Sequence, residues 1–150
     1  MEKKGDLDKA LEDFTLASTY EPGNDDAFYQ AGYIRFMRQD FEKAIECFSG
    51  AIAARDDVAD YWVARGVCYW NQALKDKTGF WDEDGEIISL AENDFTKTIE
   101  CSPDMAEAHF NRGCTRCSKA RESNNLIKSI LMHKVPMSPS GYRCWPGLSI

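Results

Sequence analysis

Apolar residues recur at spacings of three and four along most of the chain. Leu7, Ala10, Leu11, Phe14 and Ala17 form one series. Phe41, Ala44, Ile45, Phe48, Ala51 and Ile52 form a second. Such spacings put side chains on one face of an α-helix, because 3.6 residues make a turn. The pattern predicts helices over about residues 6–21, 25–38, 41–54, 58–74, 87–101 and 105–119. The expected class is all-α.

Punctuation between these helices is consistent with their ends. Pro22 and Pro103 cannot continue a helix and close the ones before them. Asn24, Asp25, Asp57 and Asp104 then supply side-chain oxygens or negative charge where the next helix starts.

The helices also repeat. Ala10, Phe14 and Ala17 match Ala44, Phe48 and Ala51 at an offset of 34 residues. Ala27, Phe28 and Gly32 match Tyr61, Trp62 and Gly66 at the same offset. A further copy follows at an offset of 47: Ala44, Phe48 and Ala51 align with Ala91, Phe95 and Thr98, while Tyr61, Trp62 and Gly66 align with Ala108, His109 and Gly113. The excess over 34 is an insertion of 13 residues between Gly66 and Ala91. Two independent residue series agree on it. Gly32, Gly66 and Gly113 fall inside helices, where glycine costs about 1 kcal/mol against alanine. That cost is offset where a neighbouring helix approaches closely, and Ala10, Ala44 and Ala91 serve the same crossing from the other side.

The period, the Trp/Phe-x-x-x-Gly element and the Ala-x-x-x-Phe-x-x-Ala element ending in proline resemble the tetratricopeptide repeat (TPR) over roughly residues 5 to 117. The departures are Arg65 and Arg112 where leucine is usual, Ala31 at that place in the first full copy, Asp56 for proline and Thr98 for alanine. The resemblance implies a right-handed superhelical solenoid of antiparallel helix pairs. Residues 1–24 are expected to hold the second helix of a truncated repeat, and 25–58 a complete repeat. Residues 59–105 make a complete repeat with the insertion near 73–86, and 106–120 the first helix of a fourth. Residues 121–150 are expected to form a degenerate helix and an irregular, proline-containing tail. Leu7, Leu11 and Phe14 should then be exposed where a preceding helix would lie. Both ends suggest a fragment or variant-ended form of a longer repeat protein.

Composition narrows the function. Hydrophobic residues make up 43% and charged residues 29%, and the formal net charge is −7. From Ser118 onward the basic residues Lys119, Arg121, Lys128, Lys134 and Arg143 meet a single acid, Glu122, so the acidity lies before that point. An acidic body repels phosphate backbones and disfavours nucleic acid as a partner. Met-Glu-Lys-Lys opens a polar segment without an apolar signal core, and no apolar run reaches the roughly 18 residues of a membrane span. Cytoplasmic residence with the six cysteines reduced is the expectation.

In the family, the first helix of each pair lines a concave groove. The resemblance thus implies a groove made by Asp26, Tyr29, Tyr33 and Phe36, then Asp60, Val63, Val67 and Trp70, then Glu107, Phe110, Cys114 and Cys117. Aromatic side chains are common interface anchors. The expected ligand is a protein or peptide segment, apolar with some basic character. Some rings would serve as core instead, and the acids also favour helix N-termini. Family members that clamp the C-terminal carboxylate of Hsp70 or Hsp90 use basic residues and asparagine in the groove. Here only Asn111 resembles such a residue, Arg65 points elsewhere by register, and the groove has the wrong charge sign.

Other chemistry has little support. Cys114 and Cys117 form a CxxC with His133 and Cys144 downstream, but the repeat places both cysteines without a metal. Phe80-Trp81-Asp82-Glu83-Asp84-Gly85-Glu86 is out of register for a calcium loop. His109 occupies a packing position shared with Phe28 and Trp62. Neither cofactor nor catalysis is expected. The function expected is an adaptor or scaffold module, with a spacer in a longer solenoid, or a noncatalytic repeat region of a larger enzyme, as alternatives.

Overall fold

The computed structural model describes residues 2–75 and 86–134. The described residues form six helices: α1 (Glu2–Tyr20), α2 (Asp25–Met37), α3 (Phe41–Ala54), α4 (Ala59–Lys75), α5 (Glu86–Cys101) and α6 (Ala106–Lys134). No strand occurs among the described residues, and the fold is all-α. Most of the insertion, with Phe80 and Trp81, lies outside the described residues, as does the tail beyond 134.

Local chemistry sets the helix ends. Asn24 caps α2, its Oδ1 accepting from the Ala27 amide at 3.0 Å. Asp25 and Asp26 follow in the first turn, where the helix dipole favours negative charge. The α2–α3 turn passes through Gln39 at φ 61°, the only non-glycine residue described at positive φ.

The chain divides into two units, residues 1–115 and 116–150. Within the first, α1 packs on α2, α2 on α3, α3 on α4 and α4 on α5. The second helix of the complete pair, α3, therefore sits between its own first helix and the next one. The repeat positions form the core. Ala44, Phe48 and Ala51 of α3 are sealed from solvent, as are their counterparts Ala91, Phe95 and Thr98 of α5. Burying one such phenylalanine is worth roughly 1.5–3 kcal/mol. Glycine permits the crossings. A Cβ added to Gly32 would lie 2.8 Å from Phe48 Cε1, and one added to Gly66 would lie 2.8 Å from Phe95 Cε1. A third crossing, unforeseen from the repeat, runs the other way: a Cβ at Gly50 would meet Phe28 Cδ1 at 2.6 Å.

The outer elements depart from expectation. Leu7 is exposed, but Leu11 and Phe14 are only half-exposed, because packing on α2 covers them in part. Gly113 has nothing within 4 Å of an added Cβ, so the close crossing expected there is not made among the described residues. The second unit begins inside α6, which is a continuous helix to Lys134 rather than ending near residue 119. The reason is local. Where the first full pair turns at Gln39, the corresponding residue of α6 is Ala120, the strongest helix former, and no glycine or proline follows before Pro136.

Candidate functional site

The helices α2 and α4 present one face toward the same depression, and the first turn of α6 closes part of its rim. The depression has a volume of about 290 Å³ and is lined by Tyr29, Tyr33, Phe36, Phe48, Asp60, Val63, Ala64, Val67 and Glu107. Spacings of three and four along α2 (Tyr29, Tyr33, Phe36) and α4 (Asp60, Val63, Val67) put these residues on one face of each helix.

Packing holds the aromatic wall in place. The Tyr29 ring lies 5.6 Å from Phe48 and 5.2 Å from Tyr61, both tilted. These are favourable edge-biased ring contacts. Phe48 is buried and forms the floor, while Tyr33 is 48% exposed at the opening. Burial pushes the Tyr29 hydroxyl up from its ordinary value, and the acids Asp60 and Glu107 add to the shift. The same two carboxylates give the depression its charge, and no lysine or arginine among the described residues lines it.

A hydrogen-bonded cluster braces one end of these helices. The Tyr61 hydroxyl donates to Asp25 Oδ2 at 2.6 Å and accepts from Arg55 Nη2 at 3.2 Å. Arg55 also pairs with Asp25 at 2.6 Å. The Tyr61 hydrogen bond and the Arg55 charge hold the Asp25 carboxyl below its usual range. Three segments, the α2 start, the α3 end and α4, are thereby tied together.

Arg65 faces away from the depression. Its guanidinium donates to both oxygens of Asp94, Nε to Oδ2 and Nη2 to Oδ1, each at 2.8 Å, and Nη1 donates to Ser49 Oγ at 3.0 Å. Trp62 offers its ring face to the same cation, 5.1 Å from the centroid. Asp94 is buried, which pushes its carboxyl up while Arg65 works in the opposite direction. A buried acid of this kind needs such a partner. The leucine-to-arginine departure at position 65 is thus matched by an acid on the facing helix.

Of the residues expected in the groove, Tyr29, Tyr33, Phe36, Asp60, Val63, Val67 and Glu107 come together around the depression. Asp26, Trp70 and Phe110 do not line it. Asp26 is exposed in the first turn of α2, with Oδ1 3.5 Å from the Tyr61 hydroxyl. Trp70 is half-buried and packs against the Val63–Ala91–Phe95 cluster. Phe110 is 71% exposed. Cys114 is half-buried and Cys117 exposed. Two lining residues escaped sequence reasoning. Phe48 belongs to a core position of α3, and Ala64 is one residue beyond the expected face. No group of three or more His, Cys, Asp or Glu suited to a metal occurs among the described residues, and no described helix is long and apolar enough to cross a membrane.

No protein-family model and no curated protein matches the chain. Solved structures do match. The first TPR of Spaghetti (RPAP3), bound to the HSP90 peptide SRMEEVD, is similar with a TM-score of 0.65 at 18% identity, over 79% of this chain and 83% of that one. MamA is similar with a TM-score of 0.62 at 24% identity, over 76% of this chain and 59% of that one. The Yersinia enterocolitica type III secretion chaperone SycD, in complex with a peptide of the translocator YopD, is similar with a TM-score of 0.62 at 12% identity, over 78% of this chain and 85% of that one. Helix pairs crossing at Gly32–Phe48 and Gly66–Phe95, taken with these likenesses, establish that the chain has the fold of a tetratricopeptide-repeat domain.

Proposed function

We infer that the protein is an interaction module that takes a peptide segment of a partner protein into the depression between α2 and α4. The observation that carries this reading is the lining itself. It combines an apolar floor and aromatic wall (Phe48, Val63, Val67, Tyr29, Phe36), a half-exposed Tyr33, and two acids at the rim. An apolar pocket with few placed polar groups is the usual form of a ligand site. Peptides occupy the similar domains of Spaghetti and SycD, which supports a peptide as the class of ligand. The chemistry of the rim selects among peptides. Asp60 and Glu107 favour a lysine or arginine beside an apolar anchor and oppose an acidic carboxy-terminal segment such as SRMEEVD. The module is therefore read as binding apolar, basic segments, and not as a carboxylate clamp.

Fluorescence anisotropy on a panel of labelled peptides, with SRMEEVD included, tests this. Apolar-basic peptides should bind and lose at least about tenfold in affinity with Tyr33→Ala, a variant first shown to be folded by circular dichroism. Preferential binding of SRMEEVD would overturn the charge reading. Failure of every peptide to bind would leave the spacer role as the better account.

A further inference from the structure

Carboxylates beside aromatic rings recur along the stack, and in two places the chain supplies the cation itself. Arg55 pairs with Asp25 at 2.6 Å while its Cζ lies 5.9 Å from the centre of the Tyr61 ring. Arg65 pairs with both oxygens of Asp94 at 2.8 Å, with the Trp62 and Tyr69 ring centres 5.1 and 6.0 Å from its Cζ. Each time the cation is an arginine. A guanidinium suits such a place because it is planar, forked and weakly hydrated. It can lie on a ring and donate to carboxylates at once.

The depression holds a third set of this kind. Asp60 and Glu107 stand beside Tyr29 and Tyr33 in its lining. The Tyr29 hydroxyl is pushed up by burial, then by Asp60, Tyr33 and Glu107, so these groups converge toward one end. Here no arginine is built in. Asp25 and Asp94 have their cations, whereas no ion pair among the described residues engages Asp60 or Glu107.

The walls suit the stem of a long side chain. Tyr29, Tyr33 and Phe36 form an aromatic wall on α2, and Val63, Ala64 and Val67 an aliphatic one on α4. From Tyr29 to Phe36 the wall runs about 10 Å at 1.5 Å per residue. Methylenes can lie between the walls while a charged head stays at the acids. Lysine would match the length and the charge. Its ammonium is a compact, strongly hydrated point charge, with no planar fork to span two acids on different helices and no flat face to set on a ring.

We propose that the depression selects arginine over lysine, a selection that rests on its being the peptide site proposed above. An arginine of the partner segment lays its guanidinium over the Tyr33 ring, which is 48% exposed at the opening, and donates to Asp60 of α4 and Glu107 of α6. Its stem lies between the two walls, and the end at Phe36 and Val67 takes an apolar neighbour. The partner's arginine thereby completes the carboxylate–aromatic arrangement that Arg55 and Arg65 complete within the chain.

The test is fluorescence anisotropy on the full chain with four labelled peptide pools. Their flanking positions are mixtures of alanine, valine and leucine, and the central residue is arginine, lysine, citrulline or dimethylarginine. The arginine pool should bind at least about fivefold tighter than the lysine pool, and at least about tenfold tighter than the citrulline pool, which has the shape without the charge. Dimethylarginine keeps the charge but blocks donors of the fork, so that pool should also bind at least about fivefold more weakly. Asp60→Asn and Glu107→Gln change exposed residues, and circular dichroism checks that each variant is folded. Each should weaken the arginine pool at least about fivefold more than the citrulline pool. Tyr33→Leu keeps the wall apolar without the ring and should bring the arginine-to-lysine ratio toward one. Equal affinity for the arginine and lysine pools overturns the selection and leaves the peptide site standing. So does an arginine preference that survives both acid variants. Failure of all four pools to bind overturns the peptide site and the selection together.

Discussion

The Phe95 ring lies so close to Gly66 that a Cβ built there would sit 2.8 Å from Phe95 Cε1 and 3.0 Å from Cδ1. Glycine in mid-helix is otherwise a cost of about 1 kcal/mol, so its presence is explained by the contact and not by helix chemistry. Phe95 is 1% exposed and has nowhere to retreat. Gly66→Leu should therefore destabilise the fold by about 1–3 kcal/mol through overpacking. Gly113→Ala, with no described neighbour within 4 Å of the added Cβ, should instead gain roughly 0.5–1 kcal/mol from helix propensity. Thermal melts followed at a helix wavelength give both signs. An unchanged midpoint for Gly66→Leu would mean that α4 and α5 do not cross in this register.

The Arg65–Asp94 pair should behave as a buried ion pair. Asp94→Ala leaves the guanidinium with its side chain 18% exposed and its acid gone, a loss of about 3–5 kcal/mol. Replacing both groups, as Arg65→Leu with Asp94→Ala, should cost less than Asp94→Ala alone, because no charge is stranded. Urea denaturation of the two variants decides it. A double variant weaker than the single one would show that Arg65 stabilises the fold even without Asp94, through Ser49 and Trp62, so that no charge is stranded.

Alkaline conditions should loosen the fold. Burial pushes the Cys68 thiol up to about 12, and it likewise raises the Tyr29, Tyr61 and Tyr69 hydroxyls. In the unfolded chain the thiol ionises near its ordinary value of 9.0, so between 9 and about 12 the unfolded state holds fewer protons. Stability is full below pH 9 and falls as pH rises toward 12, by up to about 1.4 kcal/mol per pH unit from this one group. Denaturant midpoints at pH 8, 9 and 10 measure the slope. A midpoint that rises over this range would contradict the burial of Cys68. In the native protein a thiol reagent should modify the exposed Cys101 and Cys117 well before Cys68.

Reversing the rim charge should reverse peptide preference. With Asp60→Lys and Glu107→Lys together, two acids of the depression become two cations beside the same apolar floor. Apolar-basic peptides should lose affinity and SRMEEVD should gain it, each by about tenfold or more at low salt, with the difference shrinking as salt screens the charges. Equal affinities before and after the change would remove the rim acids from any part in selection.

Much of this architecture is written in residue spacing. Helix periodicity, the 34-residue offset and the glycine–phenylalanine registers are local or repeated patterns, and they were sufficient for the helix pairs and for most of the depression's wall. Tyr29, Tyr33, Phe36, Asp60, Val63 and Val67 follow from helical spacing once two first helices are known to lie side by side. What tertiary structure alone decided concerns distances between residues remote in sequence. Periodicity does not reveal that Phe28 covers Gly50, that Arg65 reaches Asp94 across 29 residues, or that Trp70 is half-buried beside Phe95 while Phe110 is 71% exposed. Each depends on which helix comes to cover a given face, and that is settled by packing the whole stack at once. The chain's own pattern thus determined the elements and their register. The fold decided which of the patterned residues became core and which line the depression, because burial belongs to an assembled surface and not to a single helix.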